Sequence, residues 1–473
     1  MNRLTTLLVT CSLALALAPI SSQSQDYGGG RSPAESEAAQ QHFWAGIDDY
    51  LNFFPSSGAR HFEMALEADP GFGLAEVLHA WQVPGLPAEE RQAGIAEGIA
   101  MMGYASSADL ILAAAVKDMQ GGNAANGSRA FAALSEMYPD DPRLAMYSTL
   151  FRGARGDNTD NAVAMANLKT RFPDFAPTYN LLAYNLWNRG NRVGAMEAVR
   201  SYVELAPDHP NSHDSYAELL QWDGQYGAAL HQYARAAELD AEYDGAYVGA
   251  AEVYWLMGKD DEAVAQLEIA IEHAVTPAVG VNYRRSIGNI YLMRGDLDEG
   301  MEHLQAAADF GQVEGAAPAA AFAYEQMAVA DAMLGDGNNV DAHLAQAAEL
   351  RGDEPAIHQL MVAIARAESG DVDGARAMAR ELMKNNEGGF FENFGHGVMA
   401  LADIGEENYE GAMRHLALAD PSNPVTQAAL AVCFAEMGMD AEADSKWVEL
   451  ENNRQINLAN AFLAMAFIEK VQH

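Results

Sequence analysis

Apolar residues recur along most of this chain three and four positions apart, and glycines cut the resulting stripes at regular intervals. Leu182 and Leu186, Tyr216 and Leu220, and then Tyr254, Tyr291, Phe434 and Trp447 fall on such stripes, which predicts amphipathic helices that pack through one face. Gly122, Gly156, Gly190, Gly224 and Gly258 are each 34 residues apart, and the beat continues more loosely at Gly295, Gly335, Gly370, Gly405 and Gly438. A glycine after a helical run can take the left-handed conformation that ends one helix and begins a turn. Ala183, Ala217, Ala251 and Ala431 precede their glycines by seven residues, while Ala195, Ala229, Ala263 and Ala443 follow them by five. Two small faces at fixed offsets let paired helices approach closely. Second helices are expected to end near Pro70, Pro139, Pro173 and Pro207, because proline lacks an amide hydrogen and restricts the residue before it.

The pattern predicts an all-α chain of about twelve helical hairpins, from roughly residue 39 to residue 457. Residues 39–107 read as divergent hairpins, with a longer turn at Val83-Pro84-Gly85-Leu86-Pro87, and residues 108–457 as the regular array. Residues 458–473 read as a C-terminal capping helix that covers the last apolar face. At the other end, Arg3, the apolar run Leu7 to Ala18, Pro19, and Ser21, Ser22 and Ser24 make residues 1–24 a signal peptide, followed by a flexible lead-in over 25–38 with Gly28-Gly29-Gly30. The expected location is therefore periplasmic or secreted, with a membrane tether through an uncleaved N-terminal anchor as the alternative. Lipidation at Cys11 is disfavoured, since the apolar run continues beyond it. Removal of the leader leaves Cys433 alone, beside Val432 and Phe434, as a buried small hydrophobe rather than a reactive thiol.

Charge narrows the partner. Lys and Arg total 28 against 67 Asp and Glu, a formal charge of −39 that repels phosphate backbones, so nucleic acid is not an expected partner. Acidic clusters after the glycines, such as Asp260-Asp261-Glu262 and Asp371-Val372-Asp373, lack the ligand series of a calcium loop and read as helix-start residues. Asp296 and Glu299 have the spacing of a capping box. No nucleophile elbow, zinc helix, paired-cysteine spacing or phosphate loop is present. Gly395-His396-Gly397 follows no expected strand, so its glycines read as turn residues opening a helix, and Pro210 separates His209 from His213 as a metal pair. Neither catalysis nor a cofactor or metal is implied.

With the period of 34 and the segments Tyr179-Asn180-Leu181-Leu182-Ala183-Tyr184 and Ala206-Pro207-Asp208-His209-Pro210-Asn211-Ser212-His213-Asp214-Ser215-Tyr216-Ala217-Glu218-Leu219-Leu220, the chain resembles bacterial tetratricopeptide-repeat (TPR) proteins over nearly all its mature length. Some such arrays accompany kinase or cyclase domains, but none is encoded here and no activity transfers. The resemblance implies a right-handed superhelical solenoid whose first helices line a concave groove, where family ligands lie. The repeat register places Asn180, Tyr184, Trp187 and Asn188 beside Asp214, Glu218, Gln221 and Trp222, followed by Glu252 and Trp255, then Arg285 and Asn289. Packing between repeats is the competing role for each tryptophan. An aromatic surface rimmed by carboxylates suits an extended, basic peptide. The expectation is a non-catalytic scaffold for a protein or peptide partner, with an envelope carbohydrate-binding module as the alternative and an enzyme of unknown reaction as a minor one.

Overall fold

The computed structural model describes residues 36–83, 86–103, 105–334, 339–351, 356–385, 390–420, 424–451 and Leu458. The expected signal peptide, most of the lead-in, Gly335, and the terminal helix apart from Leu458 lie outside the described residues. Among those described there are twenty-four α-helices and no strand. The first eight are α1 (Glu37–Leu51), α2 (Pro55–Ala68), α3 (Gly73–Gln82), α4 (Ala88–Met101), α5 (Ser107–Gln120), α6 (Ala124–Met137), α7 (Pro142–Leu150) and α8 (Asn161–Arg171). The middle of the chain holds α9 (Pro177–Asn188), α10 (Arg192–Leu205), α11 (Pro210–Trp222), α12 (Tyr226–Leu239), α13 (Asp244–Leu256), α14 (Asp260–Glu272), α15 (Pro277–Arg294) and α16 (Leu297–Val313). The last third holds α17 (Ala317–Leu334), α18 (Val340–Arg351), α19 (Ala356–Glu368), α20 (Val372–Asn385), α21 (Phe390–Gly405), α22 (Tyr409–Leu416), α23 (Pro424–Glu436) and α24 (Asp440–Glu451). Taken in pairs they make twelve hairpins, the number that the glycine beat implies.

Eight beat glycines do what the spacing requires. Gly122, Gly156, Gly190, Gly224, Gly258, Gly295, Gly370 and Gly438 hold φ between 68° and 87°, where a Cβ is penalised. Gly405 does not. It ends α21 in helical conformation, and the left-handed residue is Glu407, because this turn runs two residues longer to reach Asn408, whose side chain accepts from the Gly411 amide at 3.2 Å. Helices α2, α6, α8 and α10 stop two residues before Pro70, Pro139, Pro173 and Pro207, as expected.

Two further readings need correction. Asp296 is the N-cap of α16 but caps nothing with its side chain, since its carboxylate takes Arg294 Nε at 2.6 Å instead. A complete capping box stands at Ser106 and Asp109, ahead of α5. Gly395 and Gly397 lie inside α21 and are not turn residues. A Cβ on Gly395 would come within 2.4 Å of Met383 Cγ, so this glycine lets α21 and α20 close on each other.

The chain forms two compact units, one of Met1–Trp44, Phe62–Trp81 and Gln92–Gly156, the other of Ala45–His61, Gln82–Arg91 and Asp157–His473. The smaller is aromatic at its centre. Phe43 packs on Phe72 at 4.8 Å between ring centroids, and Phe131 stacks on Tyr147 and Phe151, both at 5.2 Å. The larger is built on small residues. Ala183, Ala195, Ala217, Ala229, Ala251, Ala263 and Ala431 are all 0% exposed, so the offsets from the glycines mark the lines along which helices touch. Gly249 extends this logic, since its missing side chain leaves room for the Tyr233 ring, whose atoms would lie 2.2 Å from an added Cβ. Cys433 is fully buried, and burial raises its thiol to about 11. Among the described residues no helix is long and apolar enough to cross a membrane.

Candidate functional site

All twelve positions singled out by the repeat register lie in the larger unit, and hydrogen bonds link their helices in sequence order. From α9 to α11, Tyr184 donates to the Glu218 carboxylate. From α11 to α13, Gln221 Nε2 donates to Glu252 at 3.3 Å, while Gln221 Oε1 accepts from Tyr233 of α12 at 3.0 Å. From α15 to α17, Arg285 Nε donates to Gln326 Oε1 at 2.8 Å and Gln326 donates onward to Asn289. Tyr184 and Trp187 each contact the Trp222 ring, at 5.6 and 5.7 Å between centroids.

The strip is less open than its register suggests. Asn188 is exposed, and Tyr184, Asp214, Glu218, Trp222, Glu252 and Trp255 keep part of their surface in solvent, but Asn180, Trp187, Gln221, Arg285 and Asn289 are buried. The chain itself covers much of this face. The corner between α1 and α2 belongs to the larger unit and docks here, where the Asn52 carbonyl accepts from Asn211 Nδ2 at 2.5 Å and from the Tyr202 hydroxyl at 3.2 Å. Phe54 is 3% exposed and packs edge-on against Tyr243 at 4.6 Å, while Asp49 lies 3.2 Å from His209 Nε2. Phe53 between them takes φ 60°, a left-handed conformation unusual for an aromatic residue, which lets its neighbours turn inward. Farther along, the Leu458 carbonyl accepts from Asn289 Nδ2 at 2.9 Å, its amide donates to Glu252, and its side chain joins Ala251, Leu267, Ile287 and Ile290 in one apolar cluster.

The electrostatics of this face are one-sided. Burial raises Asp214 to about 7, with Glu218 adding repulsion, and raises Glu252 to about 8, where Glu218 and Asp214 push the same way. Glu218 and Asp244 are raised by burial as well, Asp244 despite the 2.8 Å hydrogen bond from Tyr283. The surrounding hydroxyls of Tyr184, Tyr233 and Tyr243 are pushed far above their usual range, first by burial and then by these carboxylates. Arg285 answers at the other end. It is 3% exposed, its hydrogen bonds go to the neutral Gln326 and Asn282, its guanidinium lies 4.0 Å over Phe322, and burial lowers it to about 9.

Tyr202, Asn211, Tyr233, Tyr243 and Tyr283 complete the site but were not anticipated from the first-helix register. Tyr202 and Tyr233 belong to second helices, Tyr243 precedes α13, and Asn211 and Tyr283 sit outside the positions carried across repeats. His209 and His213 make separate bonds, His213 to Gln232 Oε1 at 2.7 Å and to the Pro207 carbonyl at 2.9 Å. A groove of about 380 Å³ between α12 and α13 is lined by Leu230, Ala234, Ala237, Tyr247 and Tyr254, together with Tyr233.

No protein-family model matches the chain, and no curated protein matches it. Solved structures do. MamA is similar over 35% of this chain and 91% of its own, at 16% identity and a TM-score of 0.29. A thermophilic TPR protein of Thermus thermophilus is similar over 36% and 92%, at 20% identity and a TM-score of 0.31. A human IFIT1 dimer with PPP-AAAA is similar over 80% and 90%, at 13% identity and a TM-score of 0.42. No enzyme family is indicated. Such distant likenesses concern fold alone, and the assignment stands on the chain's own geometry: paired helices, left-handed glycines on a beat of 34 and buried alanines at fixed offsets make this an all-α array of the TPR type.

Proposed function

We propose that the chain is a non-catalytic interaction scaffold whose first-helix face, from α9 to α17, takes a protein or an extended peptide of basic character. One observation carries the reading. Buried asparagines on that face already hold main-chain carbonyls, Asn211 that of Asn52 and Asn289 that of Leu458. Side-chain amides that satisfy backbone groups are what an extended segment needs, whatever its sequence. The basic character follows from the carboxylates at Asp214, Glu218 and Glu252, together with the −39 formal charge, which also opposes a polyphosphate ligand. Action in the periplasm or outside the cell rests on the leader-like residues 1–24.

The test is selection of random twelve-residue peptides on the full chain. Enrichment of Lys- or Arg-containing peptides, with binding weakened about tenfold by Trp222→Ala while helicity persists, supports the reading. Failure to enrich any peptide, with saturable binding on a glycan array, would favour the carbohydrate alternative.

A further inference from the structure

Leu458 stands where the sequence does not put it. The expected cap begins at this residue and covers the last apolar face, yet Leu458 is 1% exposed in one apolar cluster with Ala251 of α13, Leu267 of α14, and Ile287 and Ile290 of α15. Trp255 packs against the same cluster, while Glu252 and Asn289 hold the Leu458 main chain. Three positions that the repeat register assigns to a partner are therefore taken by the chain itself.

The grip on this residue is set by buried side chains in series. Arg285 Nε donates to Gln326 Oε1 at 2.8 Å, Gln326 donates to Asn289 Oδ1, and Asn289 Nδ2 donates to the Leu458 carbonyl at 2.9 Å. Arg285, Gln326 and Asn289 are 3%, 2% and 0% exposed, so each amide is fixed in orientation before it meets the main chain. Both main-chain groups of Leu458 are held, since its amide donates to Glu252. Such a grip reads backbone, and another segment can offer the same carbonyl and amide. The buried Asn289 amide stays satisfied when one carbonyl replaces another, which favours exchange over simple release.

The sequence around Leu458 suits an internal ligand. From Gln455 to Ile468 no residue is charged, in a chain of formal charge −39, and Phe462, Leu463, Met465, Phe467 and Ile468 follow the leucine. A run of this kind gains by leaving water and brings no negative charge to a face that already carries carboxylates. Leu458 is the seventh residue past the end of α24, so the tether is short.

We propose that Leu458 and the uncharged residues beside it are an intramolecular ligand of the first-helix face, seated at α13–α15 in the free protein, and that a partner gains this station by displacing them. The displacement rests on the scaffold reading above, while the internal ligand does not.

Fluorescence anisotropy of a labelled synthetic peptide of residues 454–470, titrated with the full chain and its variants, tests this. Leu458→Glu sets a charge in the apolar cluster beside Glu252 and should free the station, so the peptide should bind this variant at least about tenfold more tightly than the wild type. That factor follows from a tethered competitor at about millimolar effective concentration. Leu458→Ala should act in the same direction, by about threefold, and carries the test if circular dichroism shows that Leu458→Glu does not fold. A peptide with the same leucine changed to glutamate should not bind. Lys- or Arg-containing peptides selected on the wild type should also bind Leu458→Glu about tenfold more tightly. Binding of the 454–470 peptide to Leu458→Glu, with no peptide obtained by selection, keeps the internal ligand and removes the scaffold reading. Equal binding of the 454–470 peptide to wild type and both variants overturns the proposal and leaves the scaffold reading in place, as does binding that survives the leucine change in the peptide. Selected peptides that bind wild type and variants alike overturn the displacement. A wild-type dimer in sedimentation that Leu458→Glu converts to a monomer assigns the segment to a second copy and overturns the intramolecular contact.

Discussion

Replacing Asp214 by Asn should stabilise the protein, and should do so more at alkaline than at acidic pH. Burial raises this carboxyl from 3.8 to about 7, so between those values the folded state keeps a proton that the unfolded state has lost. Stability therefore falls as pH rises through that window and levels off above it. Three units at about 1.4 kcal/mol each give a ceiling of about 4 kcal/mol. Partial solvent access and the charge shared with Glu218 reduce this to on the order of 2 kcal/mol. Asparagine can still accept from Tyr243, so the variant removes the charge and keeps the hydrogen bond. Urea unfolding followed by tryptophan fluorescence reads the transition, to which Trp187 and Trp222, in contact on this face, contribute two of the chain's six tryptophans. The expected gain is about 2 kcal/mol near pH 8 and about half of that near pH 5.5. An equal gain at both pH values, or a loss near pH 8, would refute the reasoning.

Other substitutions probe the frame around the site. Gly249→Ala sets a methyl group against the buried Tyr233 ring and should cost about 1–3 kcal/mol in thermal or urea unfolding; an unchanged midpoint would mean the two helices part freely. Phe54→Ala empties a buried aromatic position against Tyr243 and should cost about 3 kcal/mol, read in the same way. Glu325 is 0% exposed and takes Arg351 at 2.5 and 2.7 Å and His358 at 2.5 Å, so Glu325→Gln strands buried donors and should cost about 3–5 kcal/mol. Gly258→Ala, at φ 68°, should lose about 1 kcal/mol, whereas Gly405→Ala, at a helical position, should be neutral or stabilising.

That last pair marks where the sequence was legible. A left-handed turn and a close helix contact are local demands on one residue, so Gly258 and the Ala251–Ala263 offsets can be read from spacing alone. Gly405 misleads because a turn two residues longer moves the left-handed position to Glu407. Gly395 misleads because a glycine that admits Met383 looks, in sequence, like one that ends a helix. Within the site, the 34-residue register correctly joins Tyr184 to Glu218, since identical repeats set neighbouring first helices side by side. It carries no information about Asn52 and Leu458, which reach Asn211 and Asn289 from 159 and 169 residues away and cover positions that the repeat pattern alone leaves open. The second-helix tyrosines escape for a related reason: Tyr202 on α10 and Tyr233 on α12 sit at different repeat positions, so no common register marks them.

Hydrogen exchange of the full chain, with and without a selected lysine-containing peptide, shows which helices hold a partner. New protection is expected on α9, α11, α13 and α15, the helices that carry Asn180, Asp214, Glu252 and Asn289. Protection confined to α10, α12 and α14, with the first helices unchanged, would contradict it.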